Sequence, residues 1–383
     1  MIGSRKSVVI SGDKFRDAQS LAFDGTDDHI ETGVKPVDTA DATYVWWSKS
    51  SQTGDNRSVF SHGDFKIGGF AMNHSTTNLP ILQLSGSLFQ YWADVPTQDD
   101  GNWHHWAVVV DIDDMTACKL YIDGILQTQG ARGTSGAATS YGTLRIARGD
   151  DEYWTGSMSE FAVYDTMLSH SQVKTLYNGR DPYNHKEGIL SGNLKGWWRM
   201  GDGTLDTTTS ITEGGVISDE SQDSYLSGDL IDSTDILNTG NWTAFGTNTI
   251  ALDGDAIKIT GDGSNSNGGY SYLRDAKGLN SNLTVGKVYK MSFKSKVNTG
   301  SSVATEIKNS GGFIAQGPTI TSDSYIDVSI YFVCTHATSH YLYSKSMGSG
   351  EIIFFKDFEL KEVVGGTGVC VNMASNQFSG DTP

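Results

Sequence analysis

The segment Gly101–Leu126 constrains the fold of this chain more than any other. It contains two runs of β-forming residues, Trp103–Asp111 and Cys118–Ile122, and the second run is followed by Asp123-Gly124. An Asp-Gly pair between two such runs predicts a tight hairpin turn, because both turn residues need a positive φ. In Trp103–Asp111 both alternating sets of side chains are largely apolar, which predicts a central strand covered on both faces.

Two adjacent histidines in this strand, His104 and His105, are the most conspicuous candidates for a chemical role. Neighbouring side chains of a strand point to opposite faces, so the two rings cannot ligate one metal ion together. We therefore interpret both histidines as structural.

The rest of the chain has the composition of an all-β protein. The sequence has 383 residues, with 45 glycines and only 6 prolines, and polar turn residues separate its short apolar runs. The pattern predicts five consecutive segments: an N-terminal strand or attachment segment at 1–20, a first sandwich at 21–203, a linker at 204–237, a second sandwich at 238–364 and a tail at 365–383. Within the linker, Gly215–Ile217 is expected to add a strand.

One helix is expected, near the end of the first sandwich. Ser169 and Gln172 fit a capping box, and Val173, Leu176 and Tyr177 form one apolar stripe at helical spacing. Gly179 is the predicted C-terminal stop.

Charge and cysteine content exclude several classes of function. The formal net charge of −17 would repel a polyanion such as DNA, so no nucleic-acid partner is expected. Cys118, Cys334 and Cys370 are odd in number and far apart, which predicts free and mostly buried thiols. The sequence shows neither a signal peptide nor an apolar run long enough to insert into a membrane.

Several segments of the first half resemble the laminin-G-like, concanavalin-A-like jelly-roll family. They are, in chain order, Ser20–Asp28, Gly101–Trp106, Leu120–Gly124, Gly156–Tyr164 and Leu168–Gly179. The second half, closing with Phe355–Glu362, resembles the jelly roll of carbohydrate-binding modules. The two resemblances imply an all-β fold of two antiparallel jelly-roll sandwiches in tandem, with one short helix closing the first.

Neither half carries the catalytic carboxylates of related glycanases, which use a Glu-x-Asp-x-(x)-Glu run on one strand. Asp111–Asp114 lacks a glutamate, and the pair Asp357 and Glu359 falls in the last strand of the second sandwich. We interpret both as solvated carboxylates and expect no enzymatic activity.

Sugar binding would require exposed aromatic rings beside polar loops, although core packing is the alternative for each ring taken singly. Tyr153 and Trp154 are expected to be the most exposed, because Gly149–Glu152 precedes them. The complete set of candidates is Tyr91, Trp92, Tyr153, Trp154, Trp242, Tyr270 and Tyr272.

Calcium is the one metal that the resemblance implies, although no cofactor is required. Members of both families hold this ion with carboxylates and carbonyls of oxygen-rich loops. The candidate ligands are Asp24, Asp27 and Asp28 in the first sandwich, and Asp253 and Asp255 in the second. The alternative is that these aspartates only shape Asp-Gly turns.

By fold analogy the resemblance implies a virion protein of a tailed phage, such as a fibre, spike or capsid decoration protein. It would be made in the host cytoplasm, assemble as a homo-oligomer (a trimer is one form) with other virion proteins, and contact host surface glycans. Two alternatives are a bacterial carbohydrate-binding or glycanase-associated protein, and a purely structural protein without a ligand.

Overall fold

This computed structural model describes residues 15–383 except 52–56, 63–68, 73–78, 94, 96–99, 137–140, 189, 204–205, 207–215, 222–224, 265–266, 311, 365–366, 372 and 374–376. Residues 1–14 of the N-terminal strand or attachment segment predicted at 1–20 lie outside the described residues. The strands of the first half are β1 (Ser20–Asp24), β2 (His29–Glu31), β3 (Ala42–Lys49), β4 (Arg57–His62), β5 (Gly69–Met72), β6 (Ile81–Ser85), β7 (Leu88–Ala93), β8 (Trp103–Val110), β9 (Lys119–Ile122), β10 (Ile125–Leu126), β11 (Thr128–Thr134), β12 (Leu144–Ile146), β13 (Arg148–Gly149), β14 (Glu152–Tyr153), β15 (Thr155–Tyr164), β16 (Leu194–Trp198) and β17 (Val216–Ser218).

The strands of the second half are β18 (Tyr225–Leu226), β19 (Trp242–Ala244), β20 (Thr249–Asp253), β21 (Ala256–Thr260), β22 (Asn267–Tyr272), β23 (Val288–Val297), β24 (Val303–Asn309), β25 (Gly312–Ile320), β26 (Ile326–Val333), β27 (His340–Lys345), β28 (Ile352–Val364), β29 (Thr367–Val371) and β30 (Phe378–Ser379). The helices are α1 (His170–Tyr177) and the single turn α2 (Ser233–Ile236), and short 3-10 turns occupy Asn178–Arg180, Ser191–Asn193 and Thr239–Asn241. The expected all-β fold is confirmed.

Two antiparallel sheets form the first sandwich. One sheet has eight strands in the order β10-β9-β8-β3-β15-β1-β30, with β16 also paired to β15. The other has nine strands in the order β11-β7-β6-β5-β4-β12-β2-β29-β17. Strand β8 pairs with β3 and β9, which confirms its predicted central position.

The core between these sheets is aromatic. Trp46 and Trp106 lie opposite each other on β3 and β8, and their rings stack with centroids 5.9 Å apart. Phe60 and Phe70 reach this pair from the nine-stranded sheet. Large rings bury much apolar area and pack in preferred geometries, so this cluster is a main source of stability.

The outer face of the eight-stranded sheet is covered by α1, as the sequence predicts. Ser169 caps the helix and forms the expected capping box with Gln172. Val173 and Leu176 are buried against the sheet. The left-handed residue at the C-terminal cap is Asn178, with a φ of 50°, one position before the predicted Gly179.

The second sandwich also has two antiparallel sheets. Strands β20-β21-β28-β23-β26 form one sheet, to which β18 adds beside β28. Strands β19-β22-β27-β24-β25 form the other. Side chains such as Ile259, Phe293, Leu342 and Phe355 fill the core between them.

The second sandwich is inserted into the first. The predicted division placed 365–383 in a separate tail, but β29 pairs with β2 and β17 in the nine-stranded sheet. Strand β30 pairs with β1 in the eight-stranded sheet. Strand β17 also confirms the strand expected near Gly215–Ile217. The first sandwich is therefore built from residues on both sides of the second.

A small apolar cluster joins the two sandwiches. Val369 of β29 packs with Val288 and Val363 of the second sandwich, and all three are buried. Leu226, Tyr331 and Val333 are partly buried against this cluster. Val363 lies at the end of β28 and Val369 lies in β29, the next strand along the chain, so the cluster contains residues from both sandwiches.

Two further expectations can be compared with the described residues. Cys118, Cys334 and Cys370 are free and buried, as predicted. Among the helices that the structure describes, neither is long and apolar enough to cross a membrane.

Candidate functional site

Five aromatic rings meet on the outer face of the five-stranded sheet. Tyr270 and Tyr272 alternate on β22, and their partners across the strand pair are Tyr343 and Tyr341 on β27. Ring centroids are 4.7 Å apart for Tyr272–Tyr341, 5.1 Å for Tyr270–Tyr341 and 6.0 Å for Tyr270–Tyr343. Phe245 extends the group, 5.5 Å from Tyr270. We call these five residues the tyrosine face.

Strand alternation places the tyrosine rings on the outer face of the sheet and the side chains between them in the core. Ser271 and Leu342, which lie between the tyrosines in the chain, are fully buried. Tyr270, Tyr272 and Tyr341 are half-buried, whereas Tyr343 is only 7% exposed. Cross-strand aromatic pairs stabilise a sheet, and these pairs also leave three partly exposed rings side by side.

Charged side chains border the rings. Glu306 of β24 lies opposite Tyr343 and is only 2% exposed. Its Oε1 accepts a hydrogen bond from Lys345 Nζ at 3.1 Å, and Lys308 Nζ lies 3.6 Å from its Oε2. Lys308 Nζ also lies 4.5 Å from the centroid of the Tyr343 ring. At the other end of the face, the Arg274 guanidinium lies 4.5 Å from the Tyr272 ring.

Burial and the nearby Glu306 carboxylate raise the pKa of the Tyr343 hydroxyl to about 12. Tyr343 therefore stays neutral near pH 7 and can both donate and accept a hydrogen bond. On strands β22, β24 and β27, Glu306 is the carboxylate that faces outward. Glycoside hydrolysis in its usual form needs two carboxyl groups flanking the bond, and the described residues of these three strands carry one.

The structure brings two of the predicted sugar-binding residues together on one surface and buries three others. Tyr270 and Tyr272 lie together in the tyrosine face. Trp242 is 6% exposed, and its ring packs against Phe355 with centroids 5.8 Å apart. Its Nε1 donates to the Ile236 carbonyl at 2.7 Å, so the expectation that Trp242 meets a sugar is corrected.

Trp92 and Trp154 are likewise fully buried in the core of the first sandwich. The expectation that Trp154 is exposed was wrong, because the acidic turn before it exposes Tyr153 and turns the next side chain inward. A ring without an accessible face cannot stack on a ligand. Both tryptophans are therefore core residues.

Tyr153 and Tyr91 keep half-buried rings on the first sandwich. Arg148 lies over the Tyr153 ring, 5.6 Å from its centroid, and His29 is 5.9 Å away. Tyr91 packs edge-on against Phe89 at 5.4 Å. Each site offers fewer rings than the tyrosine face, so both remain secondary candidates.

Asp24, Asp27 and Asp28 form a carboxylate cluster in the turn between β1 and β2. One oxygen from each lies within 4.8 Å of the others. Asp28 is 1% exposed, and burial, with Asp24 and Asp27 adding to it, raises its pKa to about 6. Its Oδ2 accepts a hydrogen bond from the backbone N–H of Asp24 at 2.9 Å, so the turn is stabilised by a hydrogen bond within it. Hard oxygen donors at this spacing also fit Ca²⁺.

The second pair of predicted metal ligands lies apart from such a cluster. Asp253 and Asp255 flank the turn between β20 and β21. Asp255 is paired with Lys356 Nζ at 3.1 Å, and its side chain is 71% exposed. Within the described residues, Asp24, Asp27 and Asp28 are the group of three adjacent metal-binding side chains, and this pair belongs to no such group.

Sequence reasoning missed Tyr341, Tyr343, Phe245 and Glu306. The alternation of Tyr341-Leu-Tyr343 is a strand pattern with both rings on one face, so a local signal existed for two of them. Glu306 gave no such signal, because its role depends on Lys345, which is distant in the chain and lies on a neighbouring strand.

Several solved structures are similar to parts of this chain. A native heptameric SAP-like pentraxin from Limulus polyphemus has 19% identity and a TM-score of 0.35, over 42% of this chain and 82% of that chain. A putative carbohydrate binding protein from Bacteroides ovatus has 16% identity and a TM-score of 0.39, over 54% of this chain and 56% of that chain. The CBM22-1 xylan-binding domain of Paenibacillus barcinonensis Xyn10C has 18% identity and a TM-score of 0.27, over 36% of this chain and 98% of that chain.

The sequence matches no protein in the curated comparison. Residues 24–174, which span most of the first sandwich, match the family model of the concanavalin A-like lectin/glucanases superfamily.

Proposed function

We propose that this chain is a non-enzymatic carbohydrate-binding protein and that its tyrosine face is the principal binding surface. The observation that carries the proposal is the grouping of Tyr270, Tyr272 and Tyr341 as half-buried rings on one sheet face. The apolar C–H face of a pyranose packs against such rings, while hydroxyl groups bond to polar side chains at the edge. Glu306, Lys308 and Lys345 supply polar groups at that edge.

The rings are held in place before any ligand arrives. Tyr270 contacts Tyr272, Tyr341, Tyr343 and Phe245 at centroid distances of 5.1 to 6.0 Å. Rings packed in this way lose little conformational freedom on binding, which favours affinity. Regular strands carry the four tyrosines, and side chains on strands are positioned more firmly than those on loops.

Binding of the full chain to a panel of neutral and acidic oligosaccharides, measured by calorimetry, tests this proposal. Replacing Tyr270 or Tyr341 by alanine should weaken binding about tenfold or more, since buried aromatic contacts are common hot spots. Tyr325→Ala is the matched control, because Tyr325 is half-buried beside Lys296 and Lys356, next to the other sheet. The proposal fails if no oligosaccharide binds, or if Tyr325→Ala weakens binding as much as the two face variants do.

A finer proposal places the chain in a phage virion as a fibre, spike or decoration protein. It rests on the sequence resemblance and on the strongly acidic balance of −17, which favours solubility at high copy number. Many copies on one particle would raise weak single-site affinity through avidity. The native mass of the protein and of its particle is the deciding measurement. A strict monomer that is absent from any virion would leave the bacterial carbohydrate-binding alternative.

We also propose that the Asp24–Asp28 turn can hold Ca²⁺, with Asp24, Asp27 and Asp28 as ligands. Ca²⁺ would be expected to raise the unfolding temperature, and a concentration of 100 times the dissociation constant adds about 2.7 kcal/mol to the free energy of unfolding. Asp27→Asn should abolish the shift, whereas Asp253→Asn should retain it. If Ca²⁺ leaves the unfolding temperature unchanged, the turn is held by its own hydrogen bonds.

A further inference from the structure

We infer that the tyrosine face recognises an anionic glycan, one whose pyranose units carry carboxylate groups. This inference rests on the proposed function, because it assigns the class of sugar to the same surface. It is carried by the arrangement of charge around the rings. The face is cationic although the chain as a whole has a formal net charge of −17.

The local charge comes from four side chains. Lys308, Lys345 and Arg274 are cationic and Glu306 is the one carboxylate among them, which leaves a formal charge of +2. The two lysines share a single carboxylate, so it cannot neutralise both. At this surface an anion would meet attraction, whereas the overall field of the protein repels it.

Glu306 holds the two lysines at the tyrosine face. Its side chain is 3% exposed, and its Oε1 accepts a hydrogen bond from Lys345. Its Oε2 is buried without a hydrogen-bond partner among the described residues, since the Lys308 ammonium is 3.6 Å away. A buried carboxylate without its full set of donors is costly, so it attracts nearby cations and holds them at the face.

The Lys308 ammonium has N–H donors that make no hydrogen bond with Glu306. Its ammonium lies 4.5 Å from the centre of the Tyr343 ring and beyond hydrogen-bond distance of Glu306. A carboxylate on a sugar stacked over the neighbouring rings would lie at the edge of the pyranose, close to this ammonium. It would gain a charge-assisted hydrogen bond, which is roughly twice as strong as a neutral one.

Arg274 extends the same pattern to the other end of the face. Its guanidinium lies over the Tyr272 ring, 4.5 Å from the centroid, and Tyr272 contacts Tyr341 at 4.7 Å. Guanidinium groups bind carboxylates through two parallel hydrogen bonds. Cations at both ends of the ring cluster fit a chain with repeated carboxylates better than a single charged residue.

The test compares one polymer with and without its charge. Hyaluronan oligosaccharides and the same oligosaccharides after reduction of their carboxyl groups are titrated into the full chain, alongside a neutral xylan oligosaccharide. The charged form should bind at least tenfold more tightly. Its affinity should fall between about 20 mM and about 300 mM NaCl, because salt screens exposed charges.

Substitutions of the two lysines test whether the preference for charged sugars arises at the tyrosine face. Lys308→Gln and Lys345→Gln should each weaken binding of the charged form about tenfold more than they weaken binding of a neutral sugar, because glutamine keeps a hydrogen-bond donor but loses the charge. Lys174→Gln is the matched control, because Lys174 is an exposed lysine on α1 in the first sandwich. Thermal unfolding of each variant confirms that it is folded.

The outcomes separate this inference from the proposed function. Equal binding of charged and reduced oligosaccharides, or binding of neutral sugars alone, overturns the anionic assignment and leaves carbohydrate binding in place. A charge preference that persists in both lysine variants also overturns the assignment to this face. Failure of every sugar, neutral and charged, overturns the proposed function itself.

Discussion

Two adjacent histidines on β8 sit in opposite environments. In its protonated form, His104 donates from Nδ1 to Asp123 Oδ2 at 2.9 Å and from Nε2 to Asp100 Oδ1 at 3.2 Å. Hydrogen bonding to Asp123 is the main cause that raises the pKa of His104 above 6.5. His105 is 2% exposed between Trp47 and Tyr177, and burial lowers its pKa to about 4.

The pKa values of the two rings are therefore shifted in opposite directions, and each shift makes stability depend on pH. The raised pKa of His104 gives stability that is complete below about pH 6.5 and is lost as pH rises through its folded pKa. The lowered pKa of His105 gives stability that is complete above about pH 6.5 and is lost as pH falls towards about 4. Proton NMR of the imidazole rings measures both, with His104→Gln and His105→Gln for assignment. A His105 ring that titrates at or above the ordinary value would contradict the described packing.

Sequence reasoning succeeded for these residues and failed for others for a clear reason. Alternation along one strand is local, so it correctly placed His104 and His105 on opposite faces. The ion pair of buried Glu160 and half-buried Arg199, with 3.1 Å between Oε1 and Nε, could not be predicted in the same way. Glu160 adopts a φ of 53° at a bulge, and its partner lies far from it in the chain.

Strand β29 shows what one element contributes to the first sandwich. It lies between β2 and β17, and the backbone at Gly368 packs closely against the side chain of Ile30. A Cβ added at Gly368 would lie 2.2 Å from Cγ2 of Ile30, which is fully buried. The close approach of these two strands depends on the absence of a side chain at this position.

Gly368→Ala should therefore destabilise the protein by about 1–3 kcal/mol through overpacking. Gly380→Ala is the matched control, because an added Cβ there meets nothing within 4 Å. Chemical denaturation followed by tryptophan fluorescence measures the difference. Equal stability of the two variants would show that β29 does not pack against β2 as described.

Elements with strong local signals were predicted well. The helix α1 has a capping box and an apolar stripe, and the turn at Asp123-Gly124 has φ values of 50° and 73°. The strands β17 and β29 lacked comparable signals, because each is short and gains its stability from a partner far away in the chain. Local pattern therefore identified β17 only in outline and left β29 in a tail.

At the scale of the whole molecule, the inserted sandwich should be separable. Ser218 of β17 and Thr367 of β29 are cross-strand partners, so a tight turn can join them. We expect a chain in which such a turn replaces residues 219–366 to fold, with the Trp46–Trp106 core intact. The comparison is a chain that ends at Val364, which keeps the second sandwich but loses β29 and β30.

The second chain should lose cooperative unfolding of its first sandwich, because β2 and β1 each lose one of their two strand partners and Cys370 and Met373 leave the core. Calorimetry resolves the two sandwiches as separate transitions if they unfold independently. A first sandwich that is as stable without 365–383 as with it would refute the inserted topology.

The two sandwiches were predictable as units, but their nesting was not. Composition and turn spacing indicate where strand-rich segments begin and end, and both sandwiches were located in this way. The pairing of residues before and after the second sandwich joins positions that are 149 to 359 residues apart, from Ser218–Thr367 to Ser20–Ser379, and sequence pattern carries no signal for such contacts.

The inserted arrangement also sets an order for events during protein synthesis. The second sandwich is continuous, so all of its strands have been synthesised once β28 is complete. The nine-stranded sheet still lacks the strand between β2 and β17 at that moment, and β1 lacks β30. The strands translated before the second sandwich are thus completed only by strands translated after it, and their edges stay unpaired until β29 and β30 have been made.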